Sequence, residues 1–214
     1  MVSTQPLHLI LVDPLPALCE AFCEQFQSFS NVSIVNGRFE ELPSFDCFVT
    51  AGNSFGLMDG GVDAATTRFF GESIRERVQQ YILKEFLGEQ PVGTSFIIPT
   101  HHPKYPFLAH TPTMRIPMPI ARTDYVYSAM WATLVAVYRH NQNSPAMPIY
   151  SLACPGLGTG TGYVPYHEAA RQMALAYQFY LNPPSYLDWH VADQRQGCIR
   201  YGGDMGLFFP GGVK

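Results

Sequence analysis

The sequence predicts an α/β protein, a three-layer α/β/α sandwich with a mixed central sheet. Apolar runs of strand length alternate with segments in which apolar residues recur every three or four positions, which is the helical period. Hydrophobic residues make up 47% of the 214 residues and charged residues only 14%, so the chain has ample material for a core. Strands that alternate with long helices favour a largely parallel or mixed sheet covered by helices.

The first part of the chain is predicted to contribute three strands and two helices. The strands are expected at residues 8–12, 32–35 and 47–51. Pro16 is typical of the first position of a helix, and apolar residues follow it at helical spacing as far as Phe29. A second helical pattern runs from Ile74 to Phe86 and is ended by Gly88.

The second part continues the alternation of strands and helices. Strands are expected at residues 95–100, 107–111 and 149–154. A helix is expected from Asp124 to about His140, and the last clear helical pattern covers residues 166–181.

Two segments are less regular, and neither resembles a linker or a repeat. Residues 101–120 contain five prolines and are expected to form an ordered but irregular excursion. Residues 182–214 are rich in glycine and are expected to be a tail that is packed on the body or irregular. We therefore predict one domain over residues 1–214.

Charge and cysteine content limit the possible functions. Thirteen basic residues against seventeen acidic ones give a net charge of −4, and no basic run occurs, so no nucleic-acid partner is expected. The five cysteines form no CxxC pair and are expected to be the reduced thiols of an intracellular protein. Neither a signal peptide nor an apolar run of ~18 residues is visible, so we predict a cytoplasmic protein without a membrane span.

Two glycine-rich loops each follow an apolar strand and precede a helix. The first glycine loop runs from Gly52 to Asp63, and the second glycine loop runs from Gly156 to Gly162. Glycine lets backbone N–H groups approach an anion closely, and the helix that follows adds its positive N-terminal end. Because strand ends of one sheet share a crevice, the two loops predict a ligand that carries phosphate.

Neither loop is an ordinary nucleotide-binding motif. The GxxxxGK[ST] phosphate loop is absent, since no lysine lies in either loop. The dinucleotide GxGxxG pattern also fails, because the sixth residue is Thr161 when counted from Gly156 and Tyr163 when counted from Gly158.

The two loops resemble those of the macro domains, a family that binds ADP-ribose. The family's first loop reads N-A-A-N-S followed by a glycine run and G-V-D, and the corresponding residues here are Thr50-Ala51-Gly52-Asn53-Ser54 and Gly60-Gly61-Val62-Asp63. The family's second loop reads S-T-G-I-Y-G-x-P, and residues 155–165 match it with Thr159, Gly160 and Pro165 in register.

Shorter matches extend the resemblance over about residues 33–181. Residues 37–42 and Asp46 resemble the family's G-D-I-T-x-L stretch with one extra residue, and His110-Thr111 resembles the H-T at the end of a family strand. The interval from Asn53 to Asp63 is that of the family.

The resemblance implies that the partner is ADP-ribose or an ADP-ribosylated protein, with no metal and no cofactor. Backbone amides of both loops would hold the diphosphate, Asn53 would grip a hydroxyl of the distal ribose, and Asp63 would orient or activate a water against the anomeric carbon. Hydrolytic members of the family remove ADP-ribose from acidic side chains in this way. The implied ligand-binding residues are Gly52, Asn53, Gly60, Gly61, Val62, Asp63, Gly156, Gly158, Thr159, Gly160, Thr161, Gly162 and Tyr163.

The adenine end departs from the family pattern. Arg38 stands where the family has an aspartate that reads the adenine amino group, and we predict that Asp13, at the end of the first strand, supplies the acceptor. Gly162 stands where the second loop of the family has an aromatic residue, and Tyr163 follows it. Phe208 or Phe209 in the tail is a candidate for stacking on the base.

Three functions remain open on the sequence: an ADP-ribosyl hydrolase, a non-catalytic reader of ADP-ribosylated targets, and a phosphatase or deacylase acting on ADP-ribose derivatives. Structural interpretations compete with catalysis, because Asp63 is also placed to cap its helix and Asn53 to close a turn. Other candidates are weaker: His101 and His102 have no third metal ligand nearby, and Cys154 is expected to belong to the core.

Overall fold

The structure is a computed structural model that describes residues 7–199. Its strands are β1 (His8–Asp13), β2 (Val32–Asn36), β3 (Cys47–Asn53), β4 (Phe96–Pro99), β5 (Phe107–Met114) and β6 (Ser151–Cys154). Its helices are α1 (Pro16–Phe26), α2 (Gly61–Phe70), α3 (Ser73–Glu85), α4 (Tyr125–Asn143), α5 (Tyr166–Leu181) and α6 (Trp189–Ile199). A short 3-10 turn covers Phe39–Glu41.

The six strands form one mixed sheet in the order β2-β1-β6-β3-β5-β4. Neighbouring strands are parallel except β4, which pairs antiparallel with β5 at the edge of the sheet. The carboxyl ends of β1, β6 and β3, which are adjacent and parallel, therefore lie at one edge, where open α/β sheets bind ligands.

Alternating residues of the central strands separate the core into two layers. Leu9 and Leu11 of β1 pack with α1, α4 and α5 on one face, whereas Ile10 and Val12 pack with α3 on the other face. This alternation follows from the two-residue period of a strand that is covered on both sides. The predicted three-layer α/β/α sandwich with a mixed sheet is confirmed.

Strand β5 corrects the expectation of an irregular segment at residues 101–120. It continues to Met114 instead of ending at residue 111, and β3 likewise continues to Asn53. Pro112 is tolerated in β5 because pairing with β4 ends at His110, so no ladder hydrogen bond on that side is lost. The longer strands bring the first glycine loop against the end of β5.

Helix α6 corrects part of the expectation for the tail. Arg171 of α5 donates hydrogen bonds to the carbonyl oxygens of Cys198 and Ile199, and the Arg195 guanidinium lies 4.5 Å from the ring centre of Phe179. The segment is weakly amphipathic and Ile199 is its buried residue, which explains why the sequence pattern did not reveal a helix. Phe208 and Phe209 lie outside the described residues.

Candidate functional site

A cavity of about 510 Å³ opens at the carboxyl edge of the sheet, a size typical of small-molecule sites. Both glycine loops contribute to its wall, together with the ends of β1, β3 and β5. The sequence-predicted residues that line it are Asp13, Gly52, Asn53, Gly60, Gly61, Val62, Asp63, Gly156, Gly158, Thr159, Gly160, Thr161 and Gly162. The tertiary fold thus brings together residues that are separated by more than a hundred positions in the chain.

The first glycine loop presents the start of α2 to this cavity. Gly60 precedes the helix without a side-chain cap, and the N–H groups of Val62 and Asp63 have no acceptor among residues 7–199. A Cβ added at Gly60 or at Gly61 would meet no atom within 4 Å, so the backbone there is bare. A bare helix N-terminus with unpaired N–H groups is a favourable place for an anion.

Asp63 is buried at the base of the cavity and does not cap its helix. Its Oδ1 accepts a hydrogen bond from the Thr50 hydroxyl on β3, and the residue is only 5% exposed. Burial raises the pKa of the Asp63 carboxyl from 3.8 to about 6; the Asp59 charge raises it further and the Thr50 hydrogen bond opposes both effects. A carboxylate with a pKa near neutrality is suited to take up a proton.

Asn53 closes a turn and also faces the cavity. Its Oδ1 accepts a hydrogen bond of 3.0 Å from the N–H of Phe55, which is the local role considered from the sequence. Its Nδ2 has no acceptor among residues 7–199 and is not sealed from solvent. The turn therefore orients the amide so that its two donors remain available to a ligand.

The second glycine loop is packed rather than open. A Cβ at Gly156 would lie 2.3 Å from Leu18 Cδ2, and one at Gly162 would lie 2.4 Å from the carbonyl oxygen of Gly158. Gly158 has a φ of +69°, and a Cβ there would lie 2.9 Å from Val126 Cγ2. Gly160 differs, because nothing lies within 4 Å of its Cβ position.

Asp13 links the end of β1 to the second glycine loop through its carboxylate. Oδ1 accepts a hydrogen bond of 3.0 Å from the Leu15 N–H, and Oδ2 accepts one of 3.3 Å from the Gly156 N–H. The second bond joins the end of β1 to the second glycine loop. Asp13 lines the cavity as expected, and the adenine contact stays a prediction for a carboxylate that is already engaged.

Tyr163 is the one predicted ligand-binding residue that does not line the described cavity, and it is 71% exposed. Among the lining residues that sequence reasoning missed, Thr113 and Met114 reach the cavity because β5 extends beyond residue 111, and Pro117 follows that strand. Arg38 lines the cavity as the family position implies. The available signal was the position of Thr113 and Met114 just after the strand predicted at residues 107–111.

The remaining candidates have structural surroundings. His102 stacks on Tyr105 and on Phe69, and residues 7–199 contain no group of three His, Cys, Asp or Glu side chains placed to hold a metal. Burial raises the pKa of the Cys154 thiol well above its ordinary value, which disfavours a thiolate nucleophile. In the same part of the chain, no helix is long and apolar enough to cross a bilayer.

Residues 49–173 match the family model of the macro domain, and this segment contains both glycine loops and every helix from α2 to α4. The chain belongs to the macro domain family. An uncharacterized protein of Aquifex aeolicus (strain VF5) is 33% identical over 144 residues, which are 67% of this chain and 78% of that protein.

Solved macrodomains share the fold of this member of the family. The macrodomain of Mycobacterium tuberculosis DarG superposes with a TM-score of 0.56 at 18% identity and covers 66% of this chain and 86% of its own. A variant of the Oceanobacillus iheyensis macrodomain, solved with ADPR, superposes with a TM-score of 0.56 at 23% identity and covers 68% of this chain and 76% of its own. At these identities the likeness establishes the fold.

Proposed function

We propose that this macro domain binds ADP-ribose or ADP-ribosyl groups and hydrolyses a mono-ADP-ribosyl linkage on a protein or small-molecule derivative. The observation that carries the proposal is the buried Asp63 carboxyl, whose pKa is raised to about 6, next to a cavity lined by both glycine loops. A related macrodomain was solved with ADPR, which supports ADP-ribose as the ligand class.

Binding is assigned to backbone groups and one amide. The N–H groups at the start of α2 and those of the second glycine loop hold the diphosphate, because neither element places a side chain at Gly60, Gly61 or Gly160. The Nδ2 of Asn53 donates to a hydroxyl of the distal ribose. ADP-ribose should bind in the micromolar range, about −8 kcal/mol, and adenosine far more weakly.

Catalysis is assigned to Asp63 as a general base. A water oxygen forms a bond to the anomeric carbon of the distal ribose while the bond from that carbon to the acceptor group breaks. Asp63 takes a proton from the water, and the acceptor leaves with the bonding electron pair. No metal takes part in this scheme.

The test is release of ADP-ribose from an automodified substrate that carries acidic-residue linkages, run beside calorimetry. Asp63→Ala should cut turnover by ~10²-fold or more and leave ADP-ribose affinity within about tenfold. Asn53→Ala should lower both rate and affinity, because the amide holds the sugar in ground and transition states alike. Asp193→Ala is the control, since it removes an exposed carboxylate that lies outside the cavity lining.

The outcomes separate the candidate functions. Tight ADP-ribose binding without release from acidic, arginine or serine linkages would establish a reader instead of a hydrolase. A wild-type rate that Asp63→Ala does not change would remove Asp63 as the base. Equal affinities for adenosine and ADP-ribose would contradict the diphosphate site itself.

A further inference from the structure

A buried histidine on β5 lies behind the first glycine loop and is not part of the cavity wall. His110 is wholly buried, and its Nε2 is a buried side-chain polar atom without a hydrogen-bond partner among residues 7–199. An unpaired buried acceptor carries a free-energy cost, so its position calls for a physical explanation.

The protonation of His110 is set by Gln90. The Gln90 Nε2 donates hydrogen bonds to the carbonyl oxygens of Thr94 and His110, which orients its Oε1 toward the imidazole. That Oε1 lies 2.7 Å from His110 Nδ1 and is an acceptor, so Nδ1 carries the proton. Burial lowers the pKa of His110 to about 3, so the ring is neutral near pH 7 and Nε2 presents a lone pair.

His110 Nε2 and the Asp63 carboxylate both lie close to Gly52. A Cβ at Gly52 would lie 2.5 Å from His110 Nε2 and 3.0 Å from Asp63 Oδ2. Only a residue without a side chain fits between the two groups. No hydrogen bond joins them, and no donor stands between them among residues 7–199.

We propose that His110 is a positioning residue: its unprotonated Nε2, held toward Asp63 by Gln90, makes the Asp63 carboxylate a stronger base. The negative end of the imidazole dipole opposes ionisation of the neighbouring carboxyl, in the same direction as burial does. The consequence for turnover rests on the proposed function, whereas the effect on Asp63 does not.

The polar and charged groups around the Asp63 carboxylate come from three different parts of the fold. Thr50 on β3 donates to the carboxylate, Asp59 in the first glycine loop repels it, and His110 faces it from β5. No lysine or arginine forms an ion pair with Asp63 among residues 7–199. The dipole of the His110 imidazole therefore acts on the Asp63 carboxylate without an ion-paired cation to offset its effect.

The first experiment uses the wild-type protein. Nitrogen NMR of the histidine rings should show His110 with the proton on Nδ1 and no titration between about pH 5 and 8. A proton on Nε2, or a cationic ring in that range, would overturn the proposal.

The second experiment measures Asp63 itself by carbon NMR of its carboxyl as a function of pH. The wild-type midpoint should lie at about 6. Gln90→Met frees His110 to place its proton on Nε2 and donate toward Asp63, so the midpoint should fall by about one pH unit. His110→Phe keeps a ring but removes the lone pair, so it should also lower the midpoint of the Asp63 titration. This second variant decides the proposal if Gln90→Met does not fold.

The matched control is Gln172→Met. Gln172 is an equally buried glutamine that binds backbone groups, with Oε1 accepting from the Tyr127 N–H, but it lies outside the cavity lining. Its substitution should leave the Asp63 midpoint unchanged. If the midpoints of the His110 and Gln90 variants equal that of the control, His110 is structural only. If the protein releases no ADP-ribose, the carboxyl titration still decides this proposal.

Discussion

Each of the two glycine loops contains four glycines, but the two loops use them differently. In the first glycine loop, Gly52 and Gly56 are closely packed, but the adjacent Gly60 and Gly61 are bare toward the cavity. The functional side chains of that loop, Asn53 and Asp63, stand at its two ends. In the second, Gly156, Gly158 and Gly162 are packed against side chains or backbone, and only Gly160 is open. The first loop thus combines bare backbone with the buried polar side chains Asn53 and Asp63, whereas most glycines of the second loop serve close packing.

The largest expected effect separates the two kinds of glycine within the second glycine loop. Gly160→Glu should lower ADP-ribose affinity by ~100-fold or more and leave the melting temperature nearly unchanged, because the new carboxylate enters the anion site from open space. Gly158→Glu should lower the free energy of unfolding by ~2–3 kcal/mol or more, because a Cβ at residue 158 would clash with Val126 and the φ angle there is positive. Calorimetry and thermal unfolding measure both.

Equal stability of the two variants would show that Gly158 is not a packed position. The packing around Gly158 predicts loss of folding there, whereas the open space at Gly160 predicts loss of binding alone.

The next largest effect concerns how much the ionised Asp63 carboxylate of the first glycine loop lowers the free energy of unfolding. Because burial raises the pKa of Asp63 from 3.8 to about 6, the folded state binds its proton more tightly than the unfolded chain. This contribution to stability is complete below about pH 4 and is lost as pH rises through 6, amounting to ~3 kcal/mol. Asp63→Asn should therefore stabilise the domain at pH 7.5 by up to ~3 kcal/mol.

Chemical denaturation at several pH values measures this difference. The gain should shrink as pH falls toward 4, and Asp193→Asn, at an exposed position outside the cavity lining, should show little of it. If the variant is no more stable than wild type at pH 7.5, burial of the ionised Asp63 carboxylate does not destabilise the folded state.

A smaller effect concerns the bond that couples β1 to the second glycine loop. Asp13→Ala removes the acceptor for the Gly156 N–H together with the predicted acceptor for the adenine amino group, so it should weaken ADP-ribose by about tenfold and ribose-5-phosphate by less. Equal losses for the two ligands would mean that Asp13 only holds the second glycine loop against β1. Titration of both ligands against the same variant distinguishes these roles.

The smallest effect is expected at Tyr163. This exposed residue does not line the described cavity, so Tyr163→Ala should change ADP-ribose affinity by less than about twofold. A large loss in the same calorimetric assay would mean that the aromatic ring moves over the ligand when it binds.

Local patterns were sufficient to predict the order of the layers and the location of both loops. Apolar runs of strand length predicted the strands around residues 8–12 and 47–51, and the helical period predicted the helix that begins at Tyr166, because burial of an element shows in the pattern of adjacent residues. The ten-residue interval from Asn53 to Asp63 was recognised from the resemblance to the macro domains, which is readable in the sequence because strand, loop and helix follow one another in the chain.

Other features depend on contacts between distant segments, and the tertiary structure alone decided them. The unpaired Nε2 of His110 faces Gly52 only because β5 lies beside β3, and Asp13 reaches Gly156 only because β1 lies beside β6. Helix α6 also went unpredicted, because it is held by Arg171 rather than by an apolar stripe of its own. By itself, the sequence determined which residues carry polar chemistry at strand ends. The packing of the sheet decided which of them are buried, paired or bare, because burial and hydrogen bonding depend on neighbours that the chain brings together only when it folds.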